Sequence, residues 1–359
     1  MKTTPNISAI DLFCGIGGLS YGLNKAGIKV LAGIDQDSSC QYAFEINNKA
    51  DFIDSDISNV KGTYLLEKYW YNDENIKVLV GCAPCQPFSS HSNKVKDKEK
   101  GDKWFLLNQF KRLISETQPE IVSMENVPNL ANKKIFVDFV SYLKSNNYFV
   151  SYSNVYCPDY GIPQKRRRLV LLASKFDEIR LIEKTHTPAN YRTIREVIGD
   201  LPIINAGQKL EKDPIHFTCA LTSINLKRIR ASKPNGTWLD WDESLRLKCH
   251  NKESGDTYKA VYGRMDWDEP SPTITTQFYN YGTGRFGHPE QDRALTIREA
   301  AILQTFPKNY KFYKNPEEIS LKKLGVHIGN AVPVDLGYVI GKSIKMHLRK
   351  TKYHGKLHL

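Results

Sequence analysis

The sequence predicts an α/β protein, an open sheet of short buried strands alternating with helices, accompanied by a smaller and less regular second domain. Three observations carry that expectation. Apolar runs rich in Val, Ile and Leu recur through the first half, usually closed by Gly, Pro, Asn or Asp. Stretches with helical spacing lie between several of them, the pattern of βαβ units around a buried parallel sheet. From about residue 186 the periodicity weakens and Pro, Thr, Asn and Arg become common, as in THTPANYRT and IRASKPNGTW.

Taken in order, the predicted strands are SAIDLF, KVLAGID, KVLVGC, EIVSMENV, FVSYSNVY and RLVLLAS. Leu106, Phe110, Leu113 and Ile114 mark a helix after the third, at the spacing of one buried helical face. A helical pattern returns at LTIREAAILQTF, and DLGYVIGKSIKMHL reads as a closing amphipathic helix. Residues 1–185 and 308–359 are therefore expected to form one domain and 186–307 the other. No internal repeat is visible.

With 359 residues, 40% of them hydrophobic, the chain can bury a core without staples, and its seven cysteines are odd in number and thinly spread. A reducing compartment fits that usage better than a disulfide framework. No apolar run approaches the ~20 residues of a membrane span, and MKTTPNISAIDLF lacks the apolar stretch of a signal peptide. A soluble cytoplasmic protein with no membrane partner is expected. The formal net charge of +12 favours a polyanionic partner, nucleic acid first, although solubility alone would also account for it.

The first strand runs into DLFCGIGGLSYGL, where Gly15, Gly17 and Gly18 allow a sharp turn and close approach to a ligand at a helix N-terminus. Ser20 stands where the dinucleotide pattern has its third glycine. Asp35 ends the second strand, twenty residues after Gly15, where an acid can hydrogen-bond a ribose diol. Asp56 and Ile57 could close the pocket around an adenine. A nucleoside-containing cofactor is expected.

GCAPCQPFSS pairs Cys82 with Cys85 across two residues, a spacing that suits a dithiol, half a zinc site or a lone nucleophile. Zinc wants a second pair, and the only similar spacing, His216 to Cys219, is far away in the irregular stretch. A redox dithiol wants a helix directly after it, and Gln-Pro-Phe-Ser-Ser opens no clear one. The third reading, with no metal, has a strand delivering Cys85 on a turn stiffened by Pro84 and Pro87, ready to attack an activated carbon. Activation needs an acid, and MENVPNL puts Glu125 at another strand end, where a helix-starting cap would account for it equally well. PQKRRRLVLLAS places Lys165, Arg166, Arg167 and Arg168 just ahead of a strand, and two of these, alternating, would face the same edge.

These residues resemble the cytosine-C5 DNA methyltransferases, over most of the chain and in the usual order. DLFCGIGG looks like the family's cofactor loop, PCQPFS like its nucleophile loop and ENVP like its acid motif. QKRRR is similar to its paired-arginine motif, RALTIREAAILQTFP to the motif before the closing segment, and GNAVP to the last cofactor contact. The resemblance implies a Rossmann-like S-adenosylmethionine-dependent methyltransferase domain with a smaller, irregular target-recognition domain. It implies that a cytosine is flipped from the duplex, that Cys85 attacks C6, and that Glu125 bonds N3 and the exocyclic amine while C5 is methylated. Arg166 and Arg168 would support the base and the nucleophile loop. The implied cofactor contacts are Phe13, Gly15, Ile16, Gly18, Asp35, Asp56, Ile57, Pro84, Leu106, Asn330 and Val332. Asp35 departs from the family's usual glutamate, and Cys14 from its frequent alanine. Cys82 is left with packing only.

The lysine-rich SHSNKVKDKEKGDKW would close over DNA, with Gln86, Ser89 and Lys94 touching it. In the 186–307 insert, basic and aromatic residues interleave, and Arg228, Arg230, Arg264 and Arg285 are candidates to read guanine. The expectation is a bacterial DNA (cytosine-5-)-methyltransferase, monomeric and nucleoid-associated, the modification half of a system with a restriction endonuclease encoded nearby. Its rivals are a tRNA methyltransferase on the same scaffold, which the long basic insert disfavours, and a silent DNA-binding regulator.

Overall fold

The computed structural model describes residues 6–71, 75–84 and 98–353. Two compact units divide the chain: Met1–Tyr156, Arg167–Thr185 and Val332–Leu359 form the first, Cys157–Arg166 and His186–Ala331 the second.

The first unit begins β1 (Ile7–Leu12), α1 (Gly18–Lys25), β2 (Lys29–Asp35), α2 (Gln41–Asn48), β3 (Asp51–Asp54), α3 (Gly62–Tyr69) and β4 (Ile76–Gly81). It continues α4 (Lys98–Thr117), β5 (Ile121–Asn126), α5 (Lys134–Ser145), β6 (Phe149–Tyr156) and β7 (Arg167–Ser174). The seven strands form one sheet in the order β3-β2-β1-β4-β5-β7-β6. β1 to β5 are parallel, whereas β7 runs antiparallel to both β5 and β6. The expected parallel sheet is thus present, and β7 adds at one edge a reversal that the apolar runs could not show. β3, only four residues long and ending in acids at both sides, also escapes an apolar-run reading.

β5 is buried at every position and β1 at all but the first, because helices cover both faces. Ile10, Leu12, Leu79 and Met124 meet Phe110, Leu113, Phe136 and Phe139 in the main core. The closing helix α10 (Val334–Tyr353) packs on α1 through glycines. A Cβ at Gly22 would lie 2.2 Å from the Val334 carbonyl oxygen, and one at Gly337 would lie 2.7 Å from that of Leu19.

The second unit holds α6 (Ile194–Ile198), the β8 (Lys209–Leu210) and β9 (Asp213–Phe217) ribbon, α7 (Ser223–Ala231), α8 (Ile297–Leu303) and α9 (Leu321–Asn330). It includes residues 157–166 and 308–331, outside the 186–307 stretch marked by the sequence, because side chains lock them in. Gln164 donates to the Gln304 side chain and accepts from the Ile274 N–H, and Gln304 donates to the Ile328 carbonyl. Arg293, fully buried, makes two bonds of 2.7 and 2.8 Å to the buried Glu299 carboxylate. Among the described residues no helix is long and apolar enough to cross a membrane.

Candidate active site

The carboxyl ends of β1, β2, β4 and β5 share one edge of the first unit's sheet. Strand order reverses between β1 and β4, the place where such sheets take ligands.

On the β1–β2 side the chain leaves Leu12 with positive φ at Phe13 (61°), Gly15 (50°) and Gly17 (84°) before α1 begins at Gly18. A side chain at Gly17 would collide with Asn48 at 2.3 Å, while a Cβ at Gly15 would meet nothing within 4 Å, so the turn borders open space there. Asp35 completes this corner. Its Oδ2 accepts from the Gly15 N–H at 2.8 Å and its Oδ1 from the Asp37 N–H at 3.0 Å. Burial pushes the Asp35 carboxyl above its ordinary range, against the pull of those N–H groups. Asp56 is exposed and caps a short turn by accepting from the Ser58 hydroxyl and N–H, bonds that hold its carboxyl low. Ile57 is buried in the main core, with Phe13 and Leu106 half-buried against it. Ile16 and Gly18 are buried and Pro84 is exposed. The buried Val332 belongs to the first unit, and Asn330, exposed at the end of α9, to the second.

On the β4–β5 side the register pairs Gly81 with Met124, so the next residues, Cys82 and Glu125, lie side by side. Glu125 is 2% exposed. The Arg168 Nε stands 2.8 Å from its Oε1, and the Cys82 thiol donates to its Oε2 at 2.8 Å. Asn126 extends the pairing by donating to the Ala83 carbonyl at 3.0 Å. Arg168 reaches the carboxyl edge because β7 is antiparallel, its second residue lying just past Asn126, which faces Leu169. Glu125 is therefore no helix cap. Val127 holds the N-cap of the following Pro128–Asn132 turn.

Cys82, given only packing by the sequence, also touches Glu125. Arg166 is buried in the second unit and donates to the Ile274 and Ala331 carbonyls, whereas Arg168 lies beside Glu125. Sequence could not reveal the Cys82 contact, because it depends on which strand neighbours β4. Cys85, Gln86, Ser89 and Lys94 lie outside the described residues.

The candidate arginines of the second unit are unlike one another. Arg264 is 5% exposed and donates to the carbonyls of Ile229, Ser232, His288 and Gln291 and to Asp292. Arg228 is buried against Trp241 and Tyr262 and bonds Asn225 and the Leu245 carbonyl. Arg230 is exposed and paired with Asp292 at 3.0 Å. Arg285 is half-buried, one N–H on the Gly236 carbonyl.

The family model for C-5 cytosine-specific DNA methylases matches residues 7–346. The chain belongs to that family. It is 54% identical to the type II methylase M.HgiDII of Herpetosiphon aurantiacus, over 95% of this chain and 96% of that one. The type II methyltransferase M1.BsuMI of Bacillus subtilis is 32% identical, over 94% of this chain and 80% of its own. Among solved structures, a DNA modification methyltransferase encoded within an Escherichia coli prophage superposes with a TM-score of 0.72 at 23% identity, covering 96% and 99% of the two chains, a likeness of fold. The DNA (cytosine-5-)-methyltransferase described here methylates C5 of cytosine in DNA, with S-adenosylmethionine as methyl donor. The Asp35 corner suits that donor, with open space at Gly15 and a carboxylate braced by backbone N–H groups.

Proposed function

We propose that the methyltransferase modifies a cytosine within one duplex DNA sequence through a covalent Cys85 adduct, with Glu125 as the acid. The observation that supports this is the cluster of Arg168 and Cys82 on the buried Glu125 carboxylate, at the strand end three residues before Cys85. The Cys85 thiolate attacks C6 of the flipped cytosine, and Glu125 hydrogen-bonds N3 and the amine as charge moves into the ring. Arg168 braces the acid, and Arg166 braces the turn that precedes β7. Bound S-adenosylmethionine supplies the electrophilic methyl group. Asp35 would hold its ribose, Phe13, Ile57 and Leu106 its adenine, and Ile16, Gly18, Asp56, Pro84 and Val332 the rest of its pocket. Loss of the C5 proton and expulsion of Cys85 restore the aromatic base.

The first unit carries this chemistry in our reading, and the second chooses the sequence. Arg230 and Arg285 are the better candidates to read bases, since Arg228 and Arg264 are tied into their own unit; Gln86, Ser89 and Lys94 would meet the DNA beside the nucleophile. The likeness to type II methylases supports a role as the modification half of a restriction-modification system, with an endonuclease encoded nearby, acting as a monomer on nucleoid DNA.

The test uses duplex DNA carrying 5-fluorocytosine, whose fluorine blocks loss of the C5 proton and traps the adduct. Wild-type enzyme and Cys82→Ser are expected to give a denaturant-stable protein–DNA band with labelled cofactor, and Cys85→Ser none despite retained DNA binding. A trapped band with Cys85→Ser would overturn the assignment.

A further inference from the structure

Cys82 has no part in the covalent step, yet its thiol sits on the acid. We propose that Cys82 is a positioning residue for Glu125: its S–H sets the rotation of the carboxyl group, so that the acid meets cytosine in one orientation. The proposal rests on the reading of Glu125 as the catalytic acid.

Three features carry it. The last torsion of a glutamate is broad and roughly two-fold, so a carboxyl group needs a directional partner to hold one rotation. Glu125 is too buried for bulk water to serve. The Arg168 Nε is near Oε1 as a charge, but Oε1 accepts no aligned hydrogen bond among the described residues. The S–H bond to Oε2 is then the one directional contact on this carboxylate among those residues. The contact is also built into the sheet: the Gly81–Met124 register carries Cys82 and Glu125 to adjacent positions, and the Asn126 bond to Ala83 locks the next step. Cys82 itself is only half-buried, on the open edge rather than in the core.

The experiment measures kcat and KM with labelled S-adenosylmethionine and duplex DNA for wild type, Cys82→Ala, Cys82→Ser, Glu125→Gln and the Glu125→Gln/Cys82→Ala double variant. Cys82→Ala is expected to lower kcat about three- to tenfold, the scale of one neutral hydrogen bond, with both KM values little changed. Cys82→Ser, which keeps a donor, should recover most of the rate. In the Glu125→Gln background, Cys82→Ala should have little further effect, because coupled groups are not additive. Wild-type kcat in Cys82→Ala, equal loss in the alanine and serine variants, or the same loss in both backgrounds would overturn the proposal. A Glu125→Gln enzyme at full rate would instead overturn the acid assignment beneath it.

Discussion

Replacing Asp35 by Asn is expected to weaken S-adenosylmethionine binding nearly as much as replacing it by Ala, for a reason that lies behind the carboxylate. Both oxygens already accept a backbone N–H, Oδ2 from Gly15 at 2.8 Å and Oδ1 from Asp37 at 3.0 Å. A carboxamide has one oxygen and one NH₂, so either flip sets donor against donor. The amide must rotate away or the glycine turn must shift. Hydrogen bonds to a charged group contribute roughly 1.5–3 kcal/mol each, so losing one or two ribose contacts should raise the cofactor Kd by about 10- to 10⁴-fold. Calorimetric titration of the purified chain reads that change, and gel-shift of the same samples should show DNA affinity nearly unaltered. The pH arm has a fixed sign. The ionised carboxylate is the acceptor, and burial raises its pKa above the ordinary 3.8, so affinity should begin to fall on acidification at a higher pH than for an exposed aspartate. An Asp35→Asn enzyme with wild-type affinity would refute both the ribose contact and the bracing role of the two N–H groups.

Arg264→Ala should destabilise the second unit by about 3–5 kcal/mol, leaving four carbonyl acceptors without their partner and Asp292 with Arg230 alone, whereas exposed Arg230→Ala should fold normally. Thermal melts check this, and equal melts for the two variants would contradict it. Acid should loosen the same unit. Burial pushes His288 down to about 4 from 6.5, so its contribution, present above pH 6.5, fades as pH falls towards 4 and amounts to about 3 kcal/mol. Glu299, held at about 2 by Arg293 although burial opposes its charge, adds a further loss below pH 4.5. Urea unfolding from pH 8 to 4 should show that decline in wild type and a flatter profile in His288→Gln.

Local chemistry was legible in the residues themselves. The glycine turn, the aspartate ending β2 and the carboxylate ending β5 each obey rules that operate within a few residues of chain: φ freedom, strand length, turn-forming Pro and Asn. The buried strands were legible too, since a sheet covered on both faces needs unbroken apolar runs. What those rules could not reach was pairing. The RLVLLAS run reads the same in either direction, so only the assembled sheet shows that β7 is reversed and that Arg168 therefore meets Glu125.

Burial separated residues that look alike in sequence. Arg228, Arg230, Arg264 and Arg285 are four arginines of one insert, yet the Arg264 guanidinium is enclosed by carbonyls as a structural strut and that of Arg230 lies at the surface. Cys82 marks the same limit more sharply. Its spacing from Cys85 is a property of the chain and suggested thiol chemistry between them. Its partner is Glu125, forty-three residues away, because parallel strands pair side by side and a register repeats along their whole length. The sequence by itself determined the fold class, through residue types at short spacing, and the kind of reaction, through motifs that resemble those of a known family. Tertiary structure decided which of those residues touch, because contact between distant segments follows from strand order, direction and register, and none of these is encoded at a single position.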